Sequence, residues 1–267
     1  MFGLGLRHKH YLDVIQQEPK LDFLEIHTEN FITNDGPHLN ILREIAKIYP
    51  LSFHCVGLSI GSASPINKEH IKQIKKLVDE FNPFLISDHL SWSKSDNGTA
   101  NDLLPIPYTK ESLKIFCDNV KFIQDFLGRN ILIENPSAYI EFNQSEIHEI
   151  DFLNSIVKHT NCQLLLDINN VFVSAENFNF DANKYIAEID IDNVAEIHLA
   201  GHSIYQKDDI KIRIDTHNTH ICQEVLELYQ NFAKTTKNKI PTLVEWDADL
   251  PEFEILYQEV EKVKSLL

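Results

Sequence analysis

The chain has 267 residues, 43% of them hydrophobic, and carries 24 Lys and Arg against 40 Asp and Glu, a formal charge of -16. That length and apolar share suffice for one large core, while the acidity excludes a broad phosphate-binding surface, whose affinity would rest on Lys and Arg. No run reaches the roughly 18 apolar residues of a membrane span, and the first 13 residues lack the apolar stretch of a signal peptide.

Short apolar runs recur at 2–7, 23–27, 51–54, 84–89, 130–134, 163–167, 194–198 and 241–245. Stretches of helical periodicity separate them, near 9–17, 37–49, 66–82, 110–127, 145–160, 181–190, 219–236 and 252–265. In the second of these, Leu39, Leu42, Ile45, Ala46 and Tyr49 form one apolar stripe, as do Leu113, Phe116, Cys117, Val120, Ile123 and Phe126 in the fourth. A strand-helix unit repeated eight times predicts an α/β protein, a single-domain (β/α)8 TIM barrel over 1–267, with its active site at the C-terminal strand ends. The longest loops, 90–108 and 199–216, would overhang that end. Cys55, Cys117, Cys162 and Cys222 are scattered without a C-x-x-C pair, which predicts reduced thiols and a cytoplasmic enzyme. Cys55 should face away from the barrel interior and serve packing.

Most of the runs end on a metal-competent side chain. Glu25, His27 and Glu29 share a face if the second strand extends that far; the following ends carry His54, Asp88 and His89, Glu134, Asp167 through Asn170, His198, and Glu245 with Asp247. The loop after the seventh strand adds Asp215 and His217. Any one such residue is ordinarily a turn former or a satisfied polar group. Together in one rim their carboxylates would repel one another and be driven toward protonation unless cations held them. Nitrogen and oxygen donors without thiolate suit Fe, Mn or Zn, and their number exceeds the needs of one ion, so a cluster bridged by a carboxylate such as Glu134 is expected. Glu134, Asp88 and Asp247 are candidate catalytic carboxylates. Glu29, Asn30 and His202 are candidate substrate contacts, and Glu29, Asn30 and Asp247 serve equally as partners that orient ligands.

The strings ending at Arg7, Glu25-Ile-His-Thr-Glu-Asn-Phe31, His54-Cys-Val-Gly-Leu-Ser-Ile-Gly61, Ser87-Asp-His-Leu-Ser-Trp92, Glu134-Asn-Pro-Ser137, Leu166-Asp-Ile-Asn-Asn170, Ile197-His-Leu-Ala-Gly-His202, Asp215-Thr-His217 and Val244-Glu-Trp-Asp247 follow in order. In this the chain resembles the multinuclear non-haem iron-dependent oxidative enzymes, the family of the methanobactin biosynthesis oxidase. The resemblance implies a barrel holding two or three irons in mixed Fe(II)/Fe(III) states, with O2 as co-substrate. It implies as ligands His54, His89, Glu134, Asp167, Asn170, His198, Asp215, His217 and Glu245. The implied substrate is a ribosomally synthesised precursor peptide containing Cys, modified at that cysteine or another residue. A partner protein is expected to assist recognition, because the barrel consumes the chain and leaves no appended module.

Cys55 stands where a Gly is more usual after the strand-three His, and Asn218-Thr-His220 replaces smaller residues. Both departures bear on the substrate pocket rather than on the ligands. A metal-dependent hydrolase or isomerase, of the endonuclease IV or xylose-isomerase-like barrel type, is the alternative. Asn170 stands where the endonuclease pattern has His, and the acidic chain lacks a DNA-binding footprint. A non-enzymatic metal-storage protein or scaffold is the third reading.

Overall fold

The computed structural model describes residues 1–33, 35–95, 98–208 and 210–267. In chain order the elements are β1 (Phe2–Gly5), α1 (Tyr11–Gln17), β2 (Phe23–His27), α2 (Pro37–Ile45), β3 (Leu51–His54), α3 (Lys68–Phe81), β4 (Leu85–His89), β5 (Trp92–Ser95), β6 (Gly98–Leu104), α4 (Lys110–Leu127), β7 (Leu132–Glu134) and α5 (Glu149–Thr160). There follow β8 (Gln163–Asp167), α6 (Ile168–Phe178), α7 (Ala182–Glu188), β9 (Val194–Ala200), β10 (Ser203–Lys207), β11 (Ile210–Ile214), α8 (Gln223–Thr235), β12 (Thr242–Glu245) and α9 (Phe253–Lys264). Eight strands close into a parallel barrel in the order β1-β12-β9-β8-β7-β4-β3-β2. Each barrel strand coincides with one of the eight apolar runs. No helix of the described residues is long and apolar enough to cross a membrane.

The register decides which side chains meet. Residues directly paired between parallel strands point to the same side of the sheet. His27 pairs with His54, His89 with Glu134, and Asp167 with His198, so these polar ends project side by side into the barrel mouth. Outside the barrel, the apolar stripe of each helix packs on the sheet. Phe53, Phe116, Phe152, Tyr229 and Phe232 are fully buried there, as is Cys55. Helix starts are fixed by side-chain caps: Asn67 accepts from the amides of Glu69 and His70, Thr109 and Ser112 cap one another's backbone, and Asp181 caps α7.

Three local expectations change. The long connections are not plain loops: 92–104 forms the β5–β6 hairpin and 203–214 the β10–β11 hairpin, with residues 96, 97 and 209 outside the described residues. Helix α6 starts directly after β8, in a stretch where no helix was expected. Its residues from Ile168 to Ala175 are all buried, so it shows no polar face and hence no 3.6-residue alternation. Glu29 does not extend the β2 face, because residues Thr28–Phe31 turn into a 3-10 helix.

Gly201 sets how closely the chain leaving β9 passes the segment before α8. A Cβ there would lie 2.0 Å from the Thr219 carbonyl oxygen, a backbone atom that cannot swing aside. Gly201→Ala should therefore destabilise the fold by at least about 1–3 kcal/mol, the cost of overpacking a tight contact. Urea unfolding monitored by circular dichroism checks this, and an unchanged midpoint would mean the two segments separate freely.

Candidate metal centre

Residues from β2, β3, β4, β6, β7, α6, β12 and the segments after β7 and β11 line a cavity of about 250 Å³ at the C-terminal mouth. His54 Nε2, His89 Nε2 and Glu134 Oε2 form a near-equilateral triangle, with separations of 3.2, 3.3 and 3.3 Å. A tetrahedral ion with bonds of about 2.0 Å has ligand-ligand edges of about 3.3 Å, so the triangle has the dimensions of one face of such a shell. Two further groups continue from it: Glu134 with Asp167 and His198, then Asp167 with His217 and Glu245. Glu134 and Asp167 each belong to two triads. The three triads thus form a chain joined by shared carboxylates.

Asp215 and Asn170 complete the rim. Asp215 Oδ1 lies 2.6 Å from His217 Nε2, and Asn170 donates to Glu134 Oε1 at 3.2 Å while its own Oδ1 is buried without a hydrogen-bond partner. Glu134 Oε2 and Asp167 Oδ2 also lack hydrogen-bond partners and are shielded from solvent. Unsatisfied buried polar atoms are rare because each costs about 1–3 kcal/mol, and several at one spot point to a missing partner. Seven of the nine ligand candidates line the cavity, and the other two, Asp167 and His198, are fully buried with ligand atoms within 4.8 Å of Glu134, so the donor set fits cations.

The charges give the same answer. Glu25, Asp88, Glu134, Asp167, Glu196 and Glu245 are buried in and around the barrel interior, where Arg7 is the only buried Lys or Arg among the described residues. Burial pushes the Glu134 carboxyl up to about 7 against the pull of His89, and it pushes Asp167 well above the usual carboxylate range. His89 rises to about 9 because Glu134 and Asp88 outweigh its burial. His54 falls well below its ordinary value through burial and the neighbouring His89. Protons thus occupy positions that a cation would take over, since ligand imidazoles and carboxylates bind metal in their deprotonated forms.

Supporting contacts fix the ligand orientations. Arg7 donates to Glu245 Oε1 at 3.1 Å and, through Nε, to Asp247 at 2.9 Å. Asn135 clamps the end of β8 with two 2.9 Å hydrogen bonds, accepting from the Asp167 amide and donating to the Asp167 carbonyl. Asn169 donates to Asp215 at 2.7 Å, and Ser87 Oγ lies 2.7 Å from His54 Nδ1. His217 adopts a left-handed backbone with φ of 44°, unusual for a residue with a Cβ, and the amides of Asp247 and Ala248 both donate to its carbonyl.

Several predicted residues fall elsewhere. Asp88 does not reach the cavity: its oxygens accept from the Leu58 and His89 amides, which gives it a positioning role in place of the expected catalytic contact. Glu29 is taken up by the Val56 amide and His70, and Asn30 points to solvent. His202 lies between Asn169 and Arg213. These three leave the set of cavity-lining residues. Asp247 does line the cavity and is 29% exposed. His220 binds Glu259 well away from it. Residues not singled out as ligands also enter the site: His27 meets Glu245 and Asp247, while Glu25 Oε1 lies 3.1 Å from His198 Nε2 below the rim. The pairing of Glu25 and His27 on one strand face is the signal that marks both in the sequence.

Fold and site together define a (β/α)8 barrel whose rim gathers side chains that could hold cations. The chain belongs to the RiPP precursor modification enzyme family MbnB/TglH/ChrH, whose model matches residues 1–267; RiPPs are ribosomally synthesised, post-translationally modified peptides. A UPF0276 protein of Psychromonas ingrahamii is 49% identical over 264 residues, covering 99% of this chain and 93% of the relative. A UPF0276 protein of Vibrio vulnificus is 45% identical over 265 residues, covering 99% and 91%. Among solved structures, D-psicose 3-epimerase from Clostridium cellulolyticum matches with a TM-score of 0.61 at 11% identity, over 99% of this chain and 96% of that one. The IolI protein with a bound zinc atom matches with 0.60 at 14%, over 99% and 95%. At such identities these structures establish the barrel fold alone.

The protonation pattern predicts how the metal-free protein responds to pH. Glu134, with an ordinary value of 4.5, and His89, with 6.5, are both raised in the folded state, so these two groups bind more protons in the folded than in the unfolded chain between roughly 4.5 and 9. Stability from these groups is full below that window and lost as pH rises through it. Melting temperatures of chelator-treated protein should fall from pH 5 to 9, whereas metal-loaded protein should hold its value at the upper end. A metal-free protein that gains stability over this range would contradict the assignment.

Proposed function

We propose that this chain is an O2-dependent oxidase that modifies a cysteine, or another residue, of a ribosomally synthesised precursor peptide, using two or three irons in mixed Fe(II)/Fe(III) states. The observation that carries this reading is the chain of triads joined by Glu134 and Asp167, found in a member of a peptide-modifying family. His54, His89 and Glu134 would hold one ion, Glu134, Asp167, Asn170 and His198 a second, and Asp167, Asp215, His217 and Glu245 a third. The all-nitrogen and oxygen donor set fits iron. When bound, iron supplies Lewis acidity and the redox capacity to use O2.

The chain's own side chains supply the rest. Arg7 holds Glu245 and Asp247 in place, so that Asp247 Oδ2 stays within 3.4 Å of His217 Nδ1 while its carboxylate remains open to the cavity. Asp247 is therefore the group placed to accept the proton of an entering thiol, and Glu134 acts as bridge. Leu103 from β6 and Tyr139 narrow the cavity and limit water. Tyr139 also fixes Asp215, accepting from its amide at 2.8 Å. The enzyme works in the cytoplasm, without nucleic acid, and a partner protein presents the peptide.

The test is to co-express the chain with any short Cys-containing peptide found encoded beside its gene, with and without the neighbouring gene products, and compare peptide masses. An oxidative mass change that requires this chain supports the reading. Stoichiometric zinc, no O2 consumption and no rescue by iron would return the chain to the hydrolase or isomerase alternative. Glu134→Ala should lose more than one metal equivalent by elemental analysis, because one carboxylate serves two ions, while Glu134→Gln should stay folded and inactive. Full metal content and activity in Glu134→Ala would rule out the bridge.

A further inference from the structure

Beside the metal cavity lies a larger groove of about 840 Å³ that the chemistry above leaves unused. The two share a wall, since Pro136 and Ser137, which directly follow Glu134-Asn135, line both. Its apolar lining comes from Ile106 and Tyr108, from Ile140 and Phe142 in the 140–149 segment, and from Phe178 and Phe180. Ile140 is 54% exposed and Phe180 40% exposed, so the groove offers apolar surface to solvent.

Glu149, at the start of α5, accepts from the hydroxyls of Tyr108 at 2.8 Å and Tyr185 at 2.5 Å, tying together three segments that line the groove. The charges at the lip are nearly all of one sign. Glu141, Glu146, Asp181 and Glu188 line it with a single cation, Lys184, which already faces Glu188 at 3.7 Å. Neither Glu141 nor Glu146 has a basic partner among the described residues, although both are exposed.

We infer that this groove seats the stretch of the precursor peptide next to the modified residue, and that this stretch is extended, apolar and cationic. The inference rests on the peptide-oxidase reading and adds the recognition surface and the chemistry it selects. Because Pro136 and Ser137 border both spaces and follow Glu134 by two and three residues, a chain lying in the groove would have only to turn one side chain past Ser137 to approach Glu134. The groove has several times the volume of the cavity, more than one side chain needs, and at about 3.3–3.6 Å per extended residue it spans a segment rather than a point. Apolar side chains would fill the space between Ile106, Ile140 and Phe180, and Lys or Arg would answer Glu141 and Glu146. Such complementarity acts chiefly through steering and specificity, so binding should weaken with salt.

The experiment uses the full-length, metal-loaded protein and fluorescence anisotropy with two labelled synthetic peptides, one alternating Leu and Arg, the other alternating Leu and Glu. The Leu-Arg peptide should bind in a salt-sensitive manner and the Leu-Glu peptide should not. Glu141→Lys with Glu146→Lys should weaken Leu-Arg binding about tenfold, and Ile140→Asp should weaken it further, with iron content unchanged in both variants because none of these residues belongs to the metal rim. Equal affinity for the two peptides, or wild-type affinity in both variants, would overturn the inference. A dimer that dissociates on charge reversal, with neither peptide bound, would give the groove to a second copy and overturn it as well. Anisotropy decides the groove independently of iron content and O2 uptake, which decide the oxidase reading.

Discussion

Five carboxylates, Glu25, Glu134, Asp167, Glu196 and Glu245, buried in a barrel interior with one guanidinium for company are the constraint around which this molecule is built. The Glu134 and Asp167 oxygens approach within 4.8 Å, where two full charges repel by on the order of 3–4 kcal/mol even at an effective dielectric constant of 20. Protons relieve that repulsion in the metal-free chain, and cations relieve it more completely. Arg7 cannot do so alone. It is committed to Glu245 and Asp247, at one side of the mouth, and leaves Glu134 and Asp167 on the other to be neutralised by something else.

The barrel makes this concentration of charge geometrically stable. Parallel register brings His89 beside Glu134 and Asp167 beside His198, so the cluster is fixed by backbone hydrogen bonds that no ligand has to supply. A second layer of amides then sets orientation. Asn135 grips the backbone at Asp167, Asn169 holds Asp215, and Asp88 turns away from the cavity to anchor the amides of Leu58 and His89. The left-handed His217 fits the same pattern: a costly backbone conformation is tolerated where two amides bind its carbonyl and its ring faces four carboxylates.

Much of this is legible in the chain because a barrel strand has to end where the cavity begins. An apolar run closing on His54, His89, Glu134, Asp167, His198 or Glu245 states both its secondary structure and the destination of its last side chain. Legibility fails where that periodic signal is absent. Helix α6 is buried on every side and reads as neither strand nor amphipathic helix, which is why Asn170 could be named in the sequence but not placed on a helical first turn. Glu29, Asn30 and His202 sit near the right strands, yet a 3-10 turn and the Arg213 contact carry them away from the cavity. Asn135 and Asn169 act through backbone and side-chain hydrogen bonds between distant strand ends, which one-dimensional spacing does not encode.

The central claim is that the linked triads hold adjacent cations through Glu134 and Asp167. Anomalous diffraction at the iron edge from crystals of the iron-loaded protein tests it most directly. The account predicts two or three peaks inside the cavity, neighbours about 3.5–4 Å apart as in other sites with bridged ions, with Glu134 between the first two. A single peak, or peaks bound only by exposed carboxylates outside the barrel mouth, would contradict it.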